Sequence, residues 1–237
     1  MWTRSLLFTV PLFLLLTLLA VASTRQLSKR SRRKMMRALL FFFVLSEFLK
    51  QAIAICTNTH TSAYYPFHYS TTYYLSILLL TSKTPRLQRL GACTLFVGGA
   101  LLFLCVILAP RAILGDSATL FSTWFSVHGF FYHFFVLFSF FTLLYHNEYR
   151  PARHDVWRYF AFLLAWGAIA LPAARHYRAN YAGLLQSFLP PLEHLRLTFG
   201  ERVYLSAYAA LVLIFAALCI KGLAIYQKRR KKHPCRH

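Results

Sequence analysis

Long apolar runs alternate along this chain with short breaks rich in Lys and Arg or in Pro and polar residues. A run of about 20 apolar residues is the length an α-helix needs to cross the hydrocarbon core of a bilayer. Seven such runs can be drawn, at 5–23, 36–56, 64–81, 90–108, 118–145, 156–173 and 203–226. The pattern predicts an all-α membrane protein of seven transmembrane helices, folded as a single polytopic domain over residues 1–237. No interval between the runs is long enough for a soluble domain, and residues 227–237 read as a basic tail.

Composition agrees: 58% of the 237 residues are hydrophobic and only 14% are charged, a low share for a soluble protein. The formal net charge of +21 would fit a nucleic-acid binder, but its distribution excludes that partner. Seven Lys/Arg lie in 24–37, three in 82–89, three in 150–158 and seven after Ile220. Drawn onto alternating helices, these 20 charges share one side, and only Arg4, Arg111, Arg175, Arg178, Arg196 and Arg202 fall on the other. The positive-inside rule makes the first side cytoplasmic, with the N-terminus outside and the C-terminus inside. The basic segments then set topology and attract anionic lipid. Ala20-Val21-Ala22 resembles a signal-peptidase site, but the positive charge follows the first run instead of preceding it, so an uncleaved anchor is expected.

The five cysteines are scattered without a C-x-x-C pair, so neither a zinc site nor a disulfide framework is expected. No phosphate-binding, dinucleotide or nucleophile-elbow motif appears, and no cofactor is expected. Chemistry is carried instead by polar groups inside the apolar runs. Glu47, Lys50, His68, His128 and His133 are ionisable, and such groups in a membrane span tend to mark function. Glu47 shares a helix face with Lys50 and Gln51, at i+3 and i+4, so an intrahelical ion pair is available. His68 shares a face with Thr71 and Thr72, whereas Ser70 lies about 200° away, so a base for Ser70 must come from another helix, with His128 the candidate. His128 and His133, five apart, do not form the i, i+4 pair of a helical metal site, and no metal is expected. When the helices run in alternating directions, Glu47, His68, Ser70 or Thr71, and His128 fall at overlapping depths in the outer half of the bundle, lining one cavity. The tyrosines at 64, 65, 73 and 74 suit an interfacial aromatic belt. Residues 175–188 carry Tyr177, Tyr181, Leu184 and Phe188 at helical spacing, which predicts an interfacial helix ended by Pro190-Pro191, with Asn180 turned to the cavity.

Four of these pieces, in this order, resemble the YwaF-like bacterial integral membrane proteins, whose eukaryotic relative is an ether-phospholipid acyltransferase. They are Glu47; Pro66-Phe67-His68-Tyr69-Ser70; His128-Gly129 with His133; and Asn180-Tyr181 with Pro190 and Tyr204. The resemblance spans residues 34–225. It implies an inner (plasma) membrane location, membrane phospholipid as partner, and a site in which Ser70, His128, His68 and Glu47 are catalytic. Thr71, Thr72, His133, Asn180, Tyr181 and Tyr204 would line the substrate. The family is similar in plan to small lipid hydrolases that pair threonine with histidine inside the membrane. The matched position of the relative's implied cysteine nucleophile is Ser70, whose hydroxyl needs an adjacent base where a thiol is partly ionised already.

Three functions follow from these residues. One is lipid acyl transfer or ester hydrolysis, with Ser70 attacking, His128 as general base, and His68 and Glu47 orienting or polarising the carbonyl. The second is a proton-coupled carrier using Glu47, His68 and His128 as a relay, although the internal repeats many transporters show are lacking. The third is a non-enzymatic lipid-binding or structural membrane protein. The charge distribution also makes a prediction of its own. Compartment-specific reporters fused at the two ends should report the N-terminus outside and the C-terminus inside, and a cytoplasmic N-terminus would overturn the assignment.

Overall fold

Helix appears wherever the apolar runs are described. A computed structural model describes residues 4–57, 69–115, 122–178, 180–187 and 189–232, and these contain helices and turns without a strand. The chain divides into two compact units, Met1–Thr59 with Tyr73–Tyr149, and His60–Thr72 with Arg150–His237.

The first unit contains α1 (Arg4–Ser23), α2 (Lys29–Cys56), most of α3 (Tyr69–Leu80), α4 (Pro85–Leu108), α5 (Pro110–Leu114) and α6 (Trp124–Tyr145). The second contains α7 (Asp155–Tyr177), α8 (Pro190–Phe199) and α9 (Glu201–Lys232). Six of these, α1, α2, α4, α6, α7 and α9, are long and apolar enough to cross a membrane. The third expected span, 64–81, is represented by the 12-residue α3, with 64–68 outside the described residues. Twelve helical residues reach about 18 Å, short of the roughly 30 Å hydrocarbon core. The helix α9 exceeds its expected span. It continues unbroken for 32 residues, so the basic segment begins as helix and not as a loose tail.

Local chemistry sets several of the helix starts. The Ser28 hydroxyl accepts from the Ser31 amide at 3.2 Å and caps α2. Thr123 and Ser126 form a reciprocal capping box at the start of α6. Pro85 opens α4 at a position where the missing N–H would have no helical partner.

The centre of the first unit is α6, whose 135–140 segment is buried throughout. Aromatic rings dock the other helices onto it. Phe13 of α1 meets Phe130 edge-on at 5.1 Å, and Phe43 of α2 stacks on Phe135 at 4.7 Å. Phe103 of α4 meets Phe141 at 5.5 Å, and a Cβ at Gly99 would lie 2.6 Å from the Phe140 side chain. The α3–α4 contact is closer still. A Cβ at Gly91 would collide with the Leu80 amide nitrogen and lie 2.5 Å from the Ser76 carbonyl oxygen. At the basic end of the unit, Arg32 bonds Glu148 at 2.7 Å through Nε, and its guanidinium also reaches the Leu27 carbonyl. Beside them Thr24 Oγ1 pairs with His146 Nε2 at 2.9 Å. Burial and then the Arg32 charge lower the His146 pKa below its ordinary value against the pull of Glu148.

In the second unit the expected helix over 175–188 does not form. Its first residues belong to α7, which ends at Tyr177, and Arg178 turns left-handed at φ 52°. A single 3-10 turn, Tyr181–Gly183, follows, with Gly183 at φ 73°. The physical reason is local competition. The Asn180 side chain accepts from the Leu185 and Gln186 amides at 3.0 and 3.1 Å and donates to the Gln186 carbonyl at 2.8 Å, which satisfies the backbone in a loop instead of a helix. Pro190 starts α8 where it was expected to end a helix, as proline at a first helical position does. In α8 the Glu193 carboxylate accepts from Arg196 and from the Ser187 amide at 2.9 Å, and these two bonds hold its pKa below the usual range.

The tight α3–α4 contact makes the first stability prediction from the fold. Gly91→Ala should destabilise the protein by about 3 kcal/mol, the upper end for overpacking, because backbone and not a flexible side chain blocks the new methyl. Gly167→Ala, whose Cβ would meet nothing within 4 Å, should be neutral or raise stability by helix propensity. Melting temperatures of the two purified variants check the pair.

Candidate functional site

Helix α2 is inverted relative to a soluble helix. Its outward face presents Phe41, Phe42, Leu45, Phe48 and Leu49, all more than one-third exposed, as a lipid-facing surface requires. Its inward stripe recurs every three or four residues as Met36, Leu40, Phe43, Ser46, Lys50 and Ala54. The stripe is apolar at one end and becomes polar at Ser46 and Lys50, and Glu47 lies alongside with 14% side-chain exposure.

Glu47 is the hub. Lys50 Nζ lies 2.7 Å from Oε1 and 2.8 Å from Oε2, and Gln51 Nε2 donates to Oε1 at 2.9 Å. The intrahelical pairing expected from the i+3 and i+4 spacing is therefore present. From α6, His128 Nε2 approaches Glu47 Oε2 at 3.6 Å with a side chain only 3% exposed. That is an ion-pair approach and not a closed hydrogen bond. Phe43 packs edge-on against the imidazole at 6.3 Å, and Tyr132, one turn further along α6, stacks parallel to it at 6.3 Å and 3°.

Two tyrosines of α3 complete the cluster. Tyr73 and Tyr74 do not join an interfacial belt: both rings turn inward and pack edge-on against Tyr132, at 6.2 and 5.4 Å. The Tyr73 hydroxyl donates to the Gly98 carbonyl at 2.8 Å. The Tyr74 hydroxyl lies beside the Glu47 carboxylate, but no bond of good geometry closes, and it is buried without a partner. The Tyr132 hydroxyl is likewise buried and unpartnered, as is His128 Nε2 beyond its approach to Glu47.

The other expected site residues divide by place. His133 is half-buried on α6, edge-on to Tyr132 at 5.3 Å. Thr71 and Thr72 are half-buried in the first turn of α3. Ser70 is also in that turn, but its side chain and all of His68 lie outside the described residues. Asn180, Tyr181 and Tyr204 belong to the second unit and form a clasp of their own. Tyr181 and Tyr204 are fully buried, and the Tyr204 hydroxyl donates to the Gly183 carbonyl, so α9 is tied to the 3-10 turn that Asn180 braces. The Asn180 amide spends its bonds inside this loop. Among the described residues no three His, Cys, Asp or Glu side chains gather as a metal site would need.

The model of the TMEM164 family, a transmembrane protein family, matches residues 1–231. The chain belongs to the TMEM164 family. No curated protein and no solved structure matches it. The family match covers both the Glu47–His128 pair and the Asn180–Tyr204 clasp.

Within this TMEM164-family chain, sequence reasoning paired Glu47 with Lys50 and brought it to His128, but did not place Tyr74 and Tyr132 in the same cluster. Tyr132 is four residues after His128, on the same helix face, which was a usable signal. Tyr74 was hidden by its place in a tyrosine-rich stretch that has a ready interfacial explanation.

The ion pair makes a prediction. Lys50→Met should destabilise the protein by about 3–5 kcal/mol, because it leaves a buried carboxylate without its cation. Adding Glu47→Gln should recover most of that loss. Thermal melting of the single and double variants checks both outcomes.

Proposed function

We propose that this chain carries out intramembrane acyl transfer or ester hydrolysis on membrane phospholipid, as the YwaF-like resemblance implies, with His128 and Glu47 of the first unit as its base and orienting group. The supporting observation is the approach of His128 Nε2 to Glu47 Oε2 at 3.6 Å inside a buried cluster. A carboxylate beside one imidazole nitrogen favours the tautomer protonated there and leaves the other nitrogen basic. His128 is then the general base, and Glu47 steadies the imidazolium formed when it takes a proton. Lys50 offsets the carboxylate's charge, so the cluster as a whole is neutral before reaction. Approaches slightly beyond hydrogen-bond length commonly tighten once substrate is bound.

In this reading a hydroxyl oxygen attacks the ester carbonyl carbon and passes its proton to His128. The ester C–O bond then breaks, and the departing alcohol oxygen recovers the proton. Ser70 and Thr71 are the hydroxyls that the sequence offers to carry the acyl group between donor and acceptor. A proton-coupled carrier would use the same ionisable groups without breaking a bond.

The test is acyl release from labelled phospholipid by purified protein. His128→Ala should lower turnover by about 10²–10⁴-fold with little change in melting temperature. Ser70→Ala should do the same if the serine forms an acyl-enzyme, and Ser70→Cys should keep or raise activity. Full activity in both Ser70→Ala and Thr71→Ala rules out a covalent intermediate on α3. Absence of release by the wild type, together with substrate flux in sealed vesicles, would favour the carrier.

A further inference from the structure

We infer that the Tyr74 and Tyr132 hydroxyls form a subsite for the carbonyl oxygen of a carboxylic ester, an oxyanion-binding pair built from one phenol on α3 and one on α6. The inference rests on the acyl-transfer reading and names what part of the substrate these residues hold. Two buried hydroxyls without partners stand in one cluster, their rings 5.4 Å apart. Buried polar groups are nearly always hydrogen-bonded, so neighbouring orphaned hydroxyls call for a guest.

The surrounding groups define that guest. Among the described residues Glu47 is the cluster's only carboxylate, and three of its roughly four lone-pair sites are taken up by Lys50 and Gln51. The remaining approaches are those of His128 and of the Tyr74 hydroxyl, which lies beside the carboxylate without closing a bond of good geometry. The Lys50 ammonium is committed to Glu47, so among the described residues of the cluster no free cation is left to hold a phosphate. What remains among the described residues is two phenolic O–H groups, each able to donate, in a cluster where Phe43 packs against the His128 ring. Such a place fits a neutral hydrogen-bond acceptor to which both phenols donate, and the carbonyl oxygen of an acyl ester is one. A phenol places its O–H at the end of a rigid ring, and both rings are fixed by packing, Tyr132 against His128 and Tyr74 against Tyr132.

The subsite has a defined task in the reaction. As the attacking oxygen bonds to the acyl carbon, the C=O π pair moves onto the carbonyl oxygen, and that developing oxyanion accepts from Tyr74 and Tyr132. The proton lost by the attacking hydroxyl goes to His128. Collapse restores the C=O bond, expels the alcohol oxygen and returns the proton to it. No electron is gained or lost overall.

Tyr74→Phe, Tyr132→Phe and the double variant test this, because phenylalanine keeps the ring packing and removes only the hydroxyl. Each single change should lower kcat by about a hundredfold, the usual loss for one oxyanion donor, with KM changed less than about threefold. Melting temperatures should hold or rise, since an unpartnered buried hydroxyl is removed. A second arm needs no turnover: infrared difference spectra of bound diacyl glycerophospholipid carrying ¹³C at its ester carbonyls. The wild type should shift the carbonyl stretch to lower frequency, and the double variant should return it to its position in an apolar medium. Wild-type kcat in both single variants while His128→Ala is inactive overturns the subsite and leaves the acyl-transfer reading standing. A wild type that releases no acyl group but shows the carbonyl shift overturns that reading and keeps the subsite. Absence of the shift in the wild type overturns the subsite in either case.

Discussion

A carboxylate on a helix whose outer face is Phe and Leu is the constraint from which the first unit's interior follows. Glu47 cannot face hydrocarbon without a large penalty, so α2 must turn it inward and supply countercharge. Lys50 and Gln51 do so from the same helix, one turn away. That local solution fixes which face of α2 meets α6, and so which α6 residues, His128 and Tyr132, meet the carboxylate. The aromatic contact of Phe43 on Phe135 is the apolar continuation of the same face. Polar satisfaction and ring packing thus select one rotation of α2.

The second unit solves a different problem with different means. A chain leaving α7 must turn and re-enter as α9, and its loop carbonyls and amides need partners. Asn180 supplies three bonds to this loop, Glu193 one to the Ser187 amide, and Tyr204 reaches back from α9 to the Gly183 carbonyl. The residues matched by resemblance in this region are thus explained by backbone satisfaction. Those described in the first unit, Glu47, His128 and His133, meet other side chains instead, and Tyr74 and Tyr132 beside them keep unspent hydroxyls.

Much of this was legible in the sequence where one strong periodic signal controlled the outcome. The long apolar helices were readable from length alone, and the Glu47–Lys50–Gln51 contact from the i+3 and i+4 spacing. The helix expected over 175–188 failed because apolar recurrence was weighed without the capacity of Asn180 to bond its own loop and of Gly183 to adopt positive φ. The α5 turn, Pro110–Leu114, has too few residues to leave a periodic trace. The inward tyrosines could not be read at all without knowing which face of α3 meets α4. That is decided by Gly91 and Gly98, where the absence of a side chain lets a neighbouring backbone or ring approach.

The length of α9 bears on how the second unit can move. Its 32 helical residues extend about 48 Å, well beyond a hydrocarbon core of roughly 30 Å, and the last five, Lys228 to Lys232, are all cations. Such a helix is free to tilt, since tilting shortens its projection across the bilayer. It is not free to slide inward, because each turn of travel would drag fixed charges into oil. At its other end Tyr204 ties it to the turn at Gly183. The helix therefore acts as a one-way depth stop: it can tilt, but its cationic end resists being drawn into the hydrocarbon.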